Sequence, residues 1–297
     1  MGGSQQRVVR LARVVELGAW WFAALGLTLP FVYGRGPFAL YAERVVAWAG
    51  GDGDPALRGL LLGILGGSIA GKWVLHAALA RGPLRRGERW AHRASVVGLL
   101  GWFVVDSGAS LALGASFNVW MINLAPLAFV GLPLAISWRW FDAPEPAPPA
   151  RSPSLRRARA IALGAFALVG LGGLAAAAGD TPLTRAWLRA LDQPWAVAPI
   201  APRFTSFFLG PIGGCIAAQA AMMVLALARR PDERWVVVAG AASVLVWFVV
   251  DSGFGLATGG TVNVLALNVP SLVVLLGPLA LLRRAQSSPA ARSSRGA

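Results

Sequence analysis

Eight stretches of about twenty predominantly apolar residues constrain this chain of 297 more than any other feature: 14–33, 59–80, 94–114, 118–138, 158–178, 206–228, 236–257 and 264–282. In helical form each is long enough to cross the hydrocarbon core of a bilayer, which takes about 20 apolar residues. The expectation is therefore an all-α polytopic membrane protein with eight transmembrane helices. Composition agrees, since only 13% of residues are charged and the mean hydropathy is +0.61, against roughly a quarter charged in a soluble domain.

The net charge of +14 first suggests nucleic acid, but the positions of the arginines say otherwise. Twenty of the 26 fall at the two termini or in the connections after the second, fourth and sixth apolar windows, whereas Arg35, Arg44, Arg58, Arg185, Arg189 and Arg203 lie in the two longer opposite connections beside Glu43, Asp52, Asp54, Asp180 and Asp192. The positive-inside rule then places both termini in the cytoplasm. Short arginine segments spread along a membrane surface, without interleaved aromatics, do not make a nucleic-acid platform; they suit the bilayer and anionic headgroups at the cytoplasmic face. The first window follows basic residues as a signal peptide does, yet no small-residue cleavage site follows it and a downstream counterpart exists, so it reads as a retained span.

That counterpart belongs to an internal duplication. Glu88-Arg89-Trp90 recurs as Glu233-Arg234-Trp235, and the seven residues from Trp102 to Gly108, Asp106 among them, recur letter for letter from Trp247 to Gly253. Gly114, Asn118 and Asn123 then match Gly259, Asn263 and Asn268 in the same register. Upstream, Gly63, Gly66, Gly67 and Ala70 match Gly210, Gly213, Gly214 and Ala217. Two four-helix repeats with an even number of spans each enter the membrane from the same side, so the halves should be parallel, related by a pseudo-two-fold axis along the membrane normal. The expected organisation is a first membrane repeat over 1–141, a proline-rich cytoplasmic linker over 142–157, a second repeat over 158–284 and a disordered basic tail over 285–297. Pro37 to Trp48 and Thr181 to Leu191 read as amphipathic stretches lying at the interface, the second with Thr181 as N-cap and Pro182 in the first helical position.

An ionisable group in hydrocarbon costs at least about 2.5 kcal/mol, so each needs a reason. Lys72, Asp106 and Asp251 lie well inside spans. Asn123 and Asn268 return at a depth from which they could donate to Asp106 and Asp251 within one hairpin, whereas Asn118 and Asn263, five positions earlier and about 140° away on an α-helix, read as helix caps. Ser110 shares the Asp106 face. Lys72 lies close enough in depth to pair with Asp106, and Gln219, at the matching position of the second half, could only hydrogen-bond. His76 lies nearer the cytoplasmic end. Gly63, Gly67, Gly71, Gly210 and Gly214 form small-residue faces for close helix packing, and Pro126, Pro133, Pro270 and Pro278 should kink the fourth and eighth spans. Arg89, Trp90, Arg234 and Trp235 read as interface anchors.

The pattern Glu88-Arg89-Trp90, Trp102, Asp106, Gly114, Asn118, Asn123 resembles that of uncharacterised four-span bacterial membrane proteins, here in tandem. The resemblance implies a bacterial membrane and brings no activity, cofactor or catalytic residue. Arginine in place of lysine and abundant Ala and Gly are what a GC-rich bacterial genome encodes, which points to the inner membrane. One cysteine, Cys215, and two histidines leave no disulfide framework or metal-ligand spacing, and no nucleophile constellation stands out, so no enzyme, metal or cofactor is expected. The functional expectation is a transporter or binding protein for a small solute or ion, with a polar intramembrane site between the repeats formed by Asp106, Asp251, Lys72, Gln219, Asn123, Asn268 and Ser110. The alternatives are a scaffold or accessory subunit whose Asp/Asn pairs are structural and, further off, a membrane-embedded enzyme acting on lipid.

Overall fold

The computed structural model describes residues 3–51, 53–141, 152–193 and 200–287. These are all-helical, without strands, and eight of the helices are long and apolar enough to span a membrane, as a multi-pass membrane protein requires. The spans are α1 (Gly3–Val32), α3 (Pro55–Leu84), α4 (Arg89–Ala112), α5 (Ser116–Ile136), α6 (Pro153–Ala177), α8 (Ala201–Arg229), α9 (Arg234–Ala257) and α10 (Asn263–Ser287). Two short helices, α2 (Ala39–Ala49) and α7 (Pro182–Ala190), occupy the two longer connections.

Local chemistry sets the boundaries. Asp54 accepts a hydrogen bond from the Ala56 amide at 2.7 Å and Pro55 opens α3; the Thr181 hydroxyl accepts from the Thr184 amide at 3.1 Å and Pro182 opens α7. These are orphan N–H groups that a helix start must satisfy. Ser152 does the same for α6, accepting from the Leu155 amide. Residues 153–157 are therefore helical rather than part of the linker, whose residues 142–151 lie outside the described residues. The tail differs similarly: α10 continues to Ser287, and 288–297 lie outside the described residues.

Helices α3 and α8 are the buried centre and pack against each other; α3 is also flanked by α1 and α9, and α8 by α6 and α4. Sequence neighbours α3 and α4 touch little. Glycine explains the choice of partners. A Cβ on Gly67 or Gly71 would lie 2.8 Å from the Trp247 or Ser243 carbonyl of α9, and one on Gly210 would lie 2.8 Å from the Ala109 Cβ of α4. Lipid tails are as apolar as any side chain, so helices in a bilayer associate through such close backbone approach. The outward faces carry Trp21, Phe31, Val104, Trp120, Phe129, Leu168, Val249 and Val273, all exposed, as a lipid-facing surface should.

Candidate functional site

Asp106 lies 17 residues into α4 and Asp251 17 residues into α9, each about 25 Å from the helix start at 1.5 Å per residue. Both are buried. The Asn118 amide donates to Asp106 Oδ1 at 2.8 Å and the Ser110 hydroxyl at 3.3 Å, while the Asn118 carbonyl oxygen accepts from the Tyr41 hydroxyl at 2.8 Å. Around Asp251, Oδ1 accepts from Asn263 at 2.9 Å and from Asn268 at 2.8 Å. Asn123 and Asn268 also donate to Ser107 and Ser252, each at 3.1 Å.

Asn118 and Asn263 are thus carboxylate ligands, not caps. The reason is local: α5 and α10 each carry a π-helical turn, Val119–Asn123 and Asn263–Asn268. A turn closed by i→i+5 hydrogen bonds brings residues five apart onto one side, removing the 140° that separates them on an α-helix. Tyr41, on α2, is a member of the first cluster that sequence spacing did not identify.

Lys72 does not pair with Asp106. Its ammonium has no hydrogen-bond partner and lies 3.5 Å from the ring centre of Trp73 and 4.6 Å from that of Trp102, an arrangement that stabilises a desolvated cation through the ring quadrupoles. Phe22 of α1 stacks on Trp73 at 4.9 Å, and His76 packs against it at 5.1 Å with both ring nitrogens unpartnered. His76 is fully buried, not near water. Gln219 bonds Ser243, not Asp251: its amide donates to the Ser243 hydroxyl at 2.6 Å, which donates to the Gly71 carbonyl at 2.8 Å. This bridge ties α8, α9 and α3 together.

Beside Asp251 the helices leave a cavity of about 350 Å³, walled by α6, α7, α8, α9 and α10 with Ile64 of α3. Its polar groups are Asp251, Asn263, Asn268, Gln219, Ser271, Thr181, Thr184 and the indoles of Trp247 and Trp187, and Asp251 is the one ionisable side chain among them. The Trp187 indole N–H is buried without a partner, and that of Trp247 is directed to the Asp251 carboxyl. Exposed Leu183 and Leu267 stand at its rim, so it reaches the lipid-facing surface. Asp106 and Lys72 are not in its wall; the structure brings the candidate residues into two hairpin clusters, not one chamber. Two substitutions accompany the difference. Ala220 stands 147 positions after Trp73, and Gln219 the same distance after Lys72.

At the arginine-rich end, Trp90 and Trp235 stack on each other at 6.2 Å, and Trp90 is buried. Each indole donates to the glutamate two residues before it, Glu88 or Glu233. Arg86 bonds Glu233 and Arg230 bonds Glu88, both at 3.1 Å. Burial pushes the Glu88 carboxyl up, but hydrogen bonds from Trp90 and Arg86 and the charges of Arg86 and Arg230 outweigh it and hold the group below the usual carboxylate value. Arg89 and Arg234 open the two helices at this clasp.

Among the described residues no cluster of His, Cys, Asp and Glu has the makings of a metal site. No protein-family model, no curated protein and no solved structure matches the chain.

Proposed function

We propose that this chain is a bacterial inner-membrane protein, with both termini cytoplasmic, that binds a small molecule within the bilayer and serves its transport or capture. The carrying observation is the cavity that ends on Asp251, a lone ionisable group in an otherwise uncharged wall. Intramembrane carboxylates of this kind mark binding and translocation sites, and the volume falls at the lower end of the 300–1,000 Å³ typical of small-molecule pockets. The architecture in this reading is two parallel four-helix repeats about a pseudo-two-fold axis. Its support is the sequence duplication together with the exchanged packing: α3 meets α1 and α9 as α8 meets α6 and α4. The clasp of Trp90, Trp235, Glu88 and Glu233 would lie on that axis.

The test is a thermal-shift screen of purified protein against amphiphiles of about a dozen non-hydrogen atoms, a size set by the cavity at roughly 30 Å³ per atom. Compounds should stabilise the wild type and not Ala176→Phe, which puts a ring into the cavity wall. A second reading, a scaffold whose carboxylates only hold hairpins together, is favoured by the Asp106 cluster, where Asn118, Ser110 and Tyr41 form a closed hydrogen-bonded set. That reading expects Asp106→Asn plus Asp251→Asn to lower the melting temperature while no compound stabilises the wild type.

A further inference from the structure

The geometry points to a lipophilic ammonium ion, a primary amine carrying a short apolar or aryl tail, as the molecule that the Asp251 cavity takes; this rests on the cavity being a ligand site, as proposed above. The first half of the chain contains the arrangement in internal form. There the Lys72 ammonium sits 4.6 Å from the centre of the Trp102 ring, one helical turn along α4 from Asp106. In the second half the same two residues recur as Trp247 and Asp251, and both line the cavity. The residue in the Lys72 position is Gln219, which is hydrogen-bonded to Ser243. The second half thus keeps the indole and the carboxylate but supplies no cation.

Electrostatics favours a cation over other ligands. A carboxylate buried without a counter-charge is costly, and a ligand that supplies the counter-charge gains more than one that adds a single neutral hydrogen bond. Both asparagine hydrogen bonds to Asp251 fall on Oδ1 and the Trp247 indole is also directed to this carboxyl, so its partners are neutral donors and no counter-charge is among the residues of the wall. The Trp247 ring supplies a cation–π surface, Trp187 a second aromatic wall, and the apolar remainder formed by Phe166, Val169, Ile212 and Leu275 suits a hydrocarbon or phenyl tail. An anion would meet Asp251 with like charge, and a neutral alcohol would leave that charge uncompensated.

The experiment uses the full chain in lipid nanodiscs and isothermal titration calorimetry, with protein-free nanodiscs subtracted. The probes are 4-phenylbutylammonium, the neutral 5-phenylpentan-1-ol and the anionic 5-phenylpentanoate. Saturable one-to-one binding of the ammonium is expected, at least tenfold tighter than either of the others. Asp251→Asn should weaken it at least tenfold. Gln219→Lys, which installs an internal ammonium at the position that matches Lys72, should abolish it; this variant decides the matter if Asp251→Asn is not monodisperse. Equal binding of the alcohol and the ammonium would overturn the ammonium assignment while leaving the cavity as a ligand site. Ammonium binding unaffected by Asp251→Asn and by Gln219→Lys would overturn it too, by placing the ligand elsewhere. Binding of none of the three probes would remove both the assignment and the proposed function.

Discussion

Replacing Gly213 by alanine is the sharpest test of how the spans are held together. A Cβ at this position would lie 2.2 Å from the Gly173 carbonyl oxygen and 2.7 Å from the Ala177 nitrogen, both backbone atoms of α6. Neither can rotate away, so α6 and α8 must separate by about 1 Å at their crossing, a gap that forfeits a quarter to a half of the dispersion energy of each facing pair. Overpacking of this kind costs about 1–3 kcal/mol. Gly66→Ala should do the same at the crossing of α1 and α3, where its Cβ would meet the Gly26 carbonyl oxygen at 2.5 Å. The controls are Gly164→Ala on α6 and Gly101→Ala on α4, whose added methyls meet nothing within 4 Å and should be neutral or stabilising by up to about 1 kcal/mol from helix propensity. Unfolding in mixed micelles of increasing SDS fraction, followed by far-ultraviolet ellipticity, reads the difference. If Gly213→Ala and Gly66→Ala unfold at the same midpoint as the two controls, close backbone contact is not what binds these helices. A large effect at only one of the two would speak against equivalent halves.

Three further outcomes follow from the polar clusters. Asn118→Leu should destabilise by about 1.5–3 kcal/mol, the range for a hydrogen bond to a charged group, and more than Tyr41→Phe at about 0.5–1.5 kcal/mol; the same SDS titration ranks them, and the reverse order would mean that Asn118 does not hold Asp106. Lys72→Met, in contrast, should leave stability unchanged or raise it, because the ammonium has no hydrogen bond to lose and an apolar residue of similar size fits; a loss of about 3 kcal/mol or more would signify a true ion pair. The clasp should weaken with acid: the Glu88 carboxyl is held below its ordinary value in the fold, so its contribution is fully present above the unfolded-state value and disappears as pH falls through the folded-state value. The melting temperature should therefore drop below about pH 4.5 by less in Glu88→Gln than in the wild type, and equal acid sensitivity of the two would show that this carboxylate does not support the clasp.

How far the sequence reveals the molecule depends on the range of the interactions involved. The eight spans, the two short helices of the longer connections and the Thr181 cap are written in local composition and spacing, and each appears where those signals stand. The partners of the spans are not local. Nothing in the linear order says that α3 prefers α9 to α4, although Gly67 and Gly71 mark the face on which the choice is made. Residue spacing also misleads wherever the helix is not an α-helix. Five residues separate Asn118 from Asn123, and the caps read from that interval become carboxylate ligands because a π-helical turn lies between them. Depth alone paired Lys72 with Asp106, since rise per residue gives height but not direction; the ammonium instead lies over Trp73 and Trp102.

The most informative differences are nevertheless visible in the sequence itself. At two adjacent positions of glycine-rich helices that share Gly63, Gly66, Gly67, Ile69 and Ala70 with Gly210, Gly213, Gly214, Ile216 and Ala217, Lys72 and Trp73 give way to Gln219 and Ala220. Read alone, each change is an ordinary substitution on an apolar helix. Read against the retained Trp247 and Asp251, they remove a cation and an indole from one side of a site and leave its other side intact, which is how a filled hairpin becomes a cavity with a carboxylate at its end. The division of labour between the halves, Asp106 in a closed hydrogen-bonded set and Asp251 facing a space, is therefore the physical ground for assigning the ligand to the second.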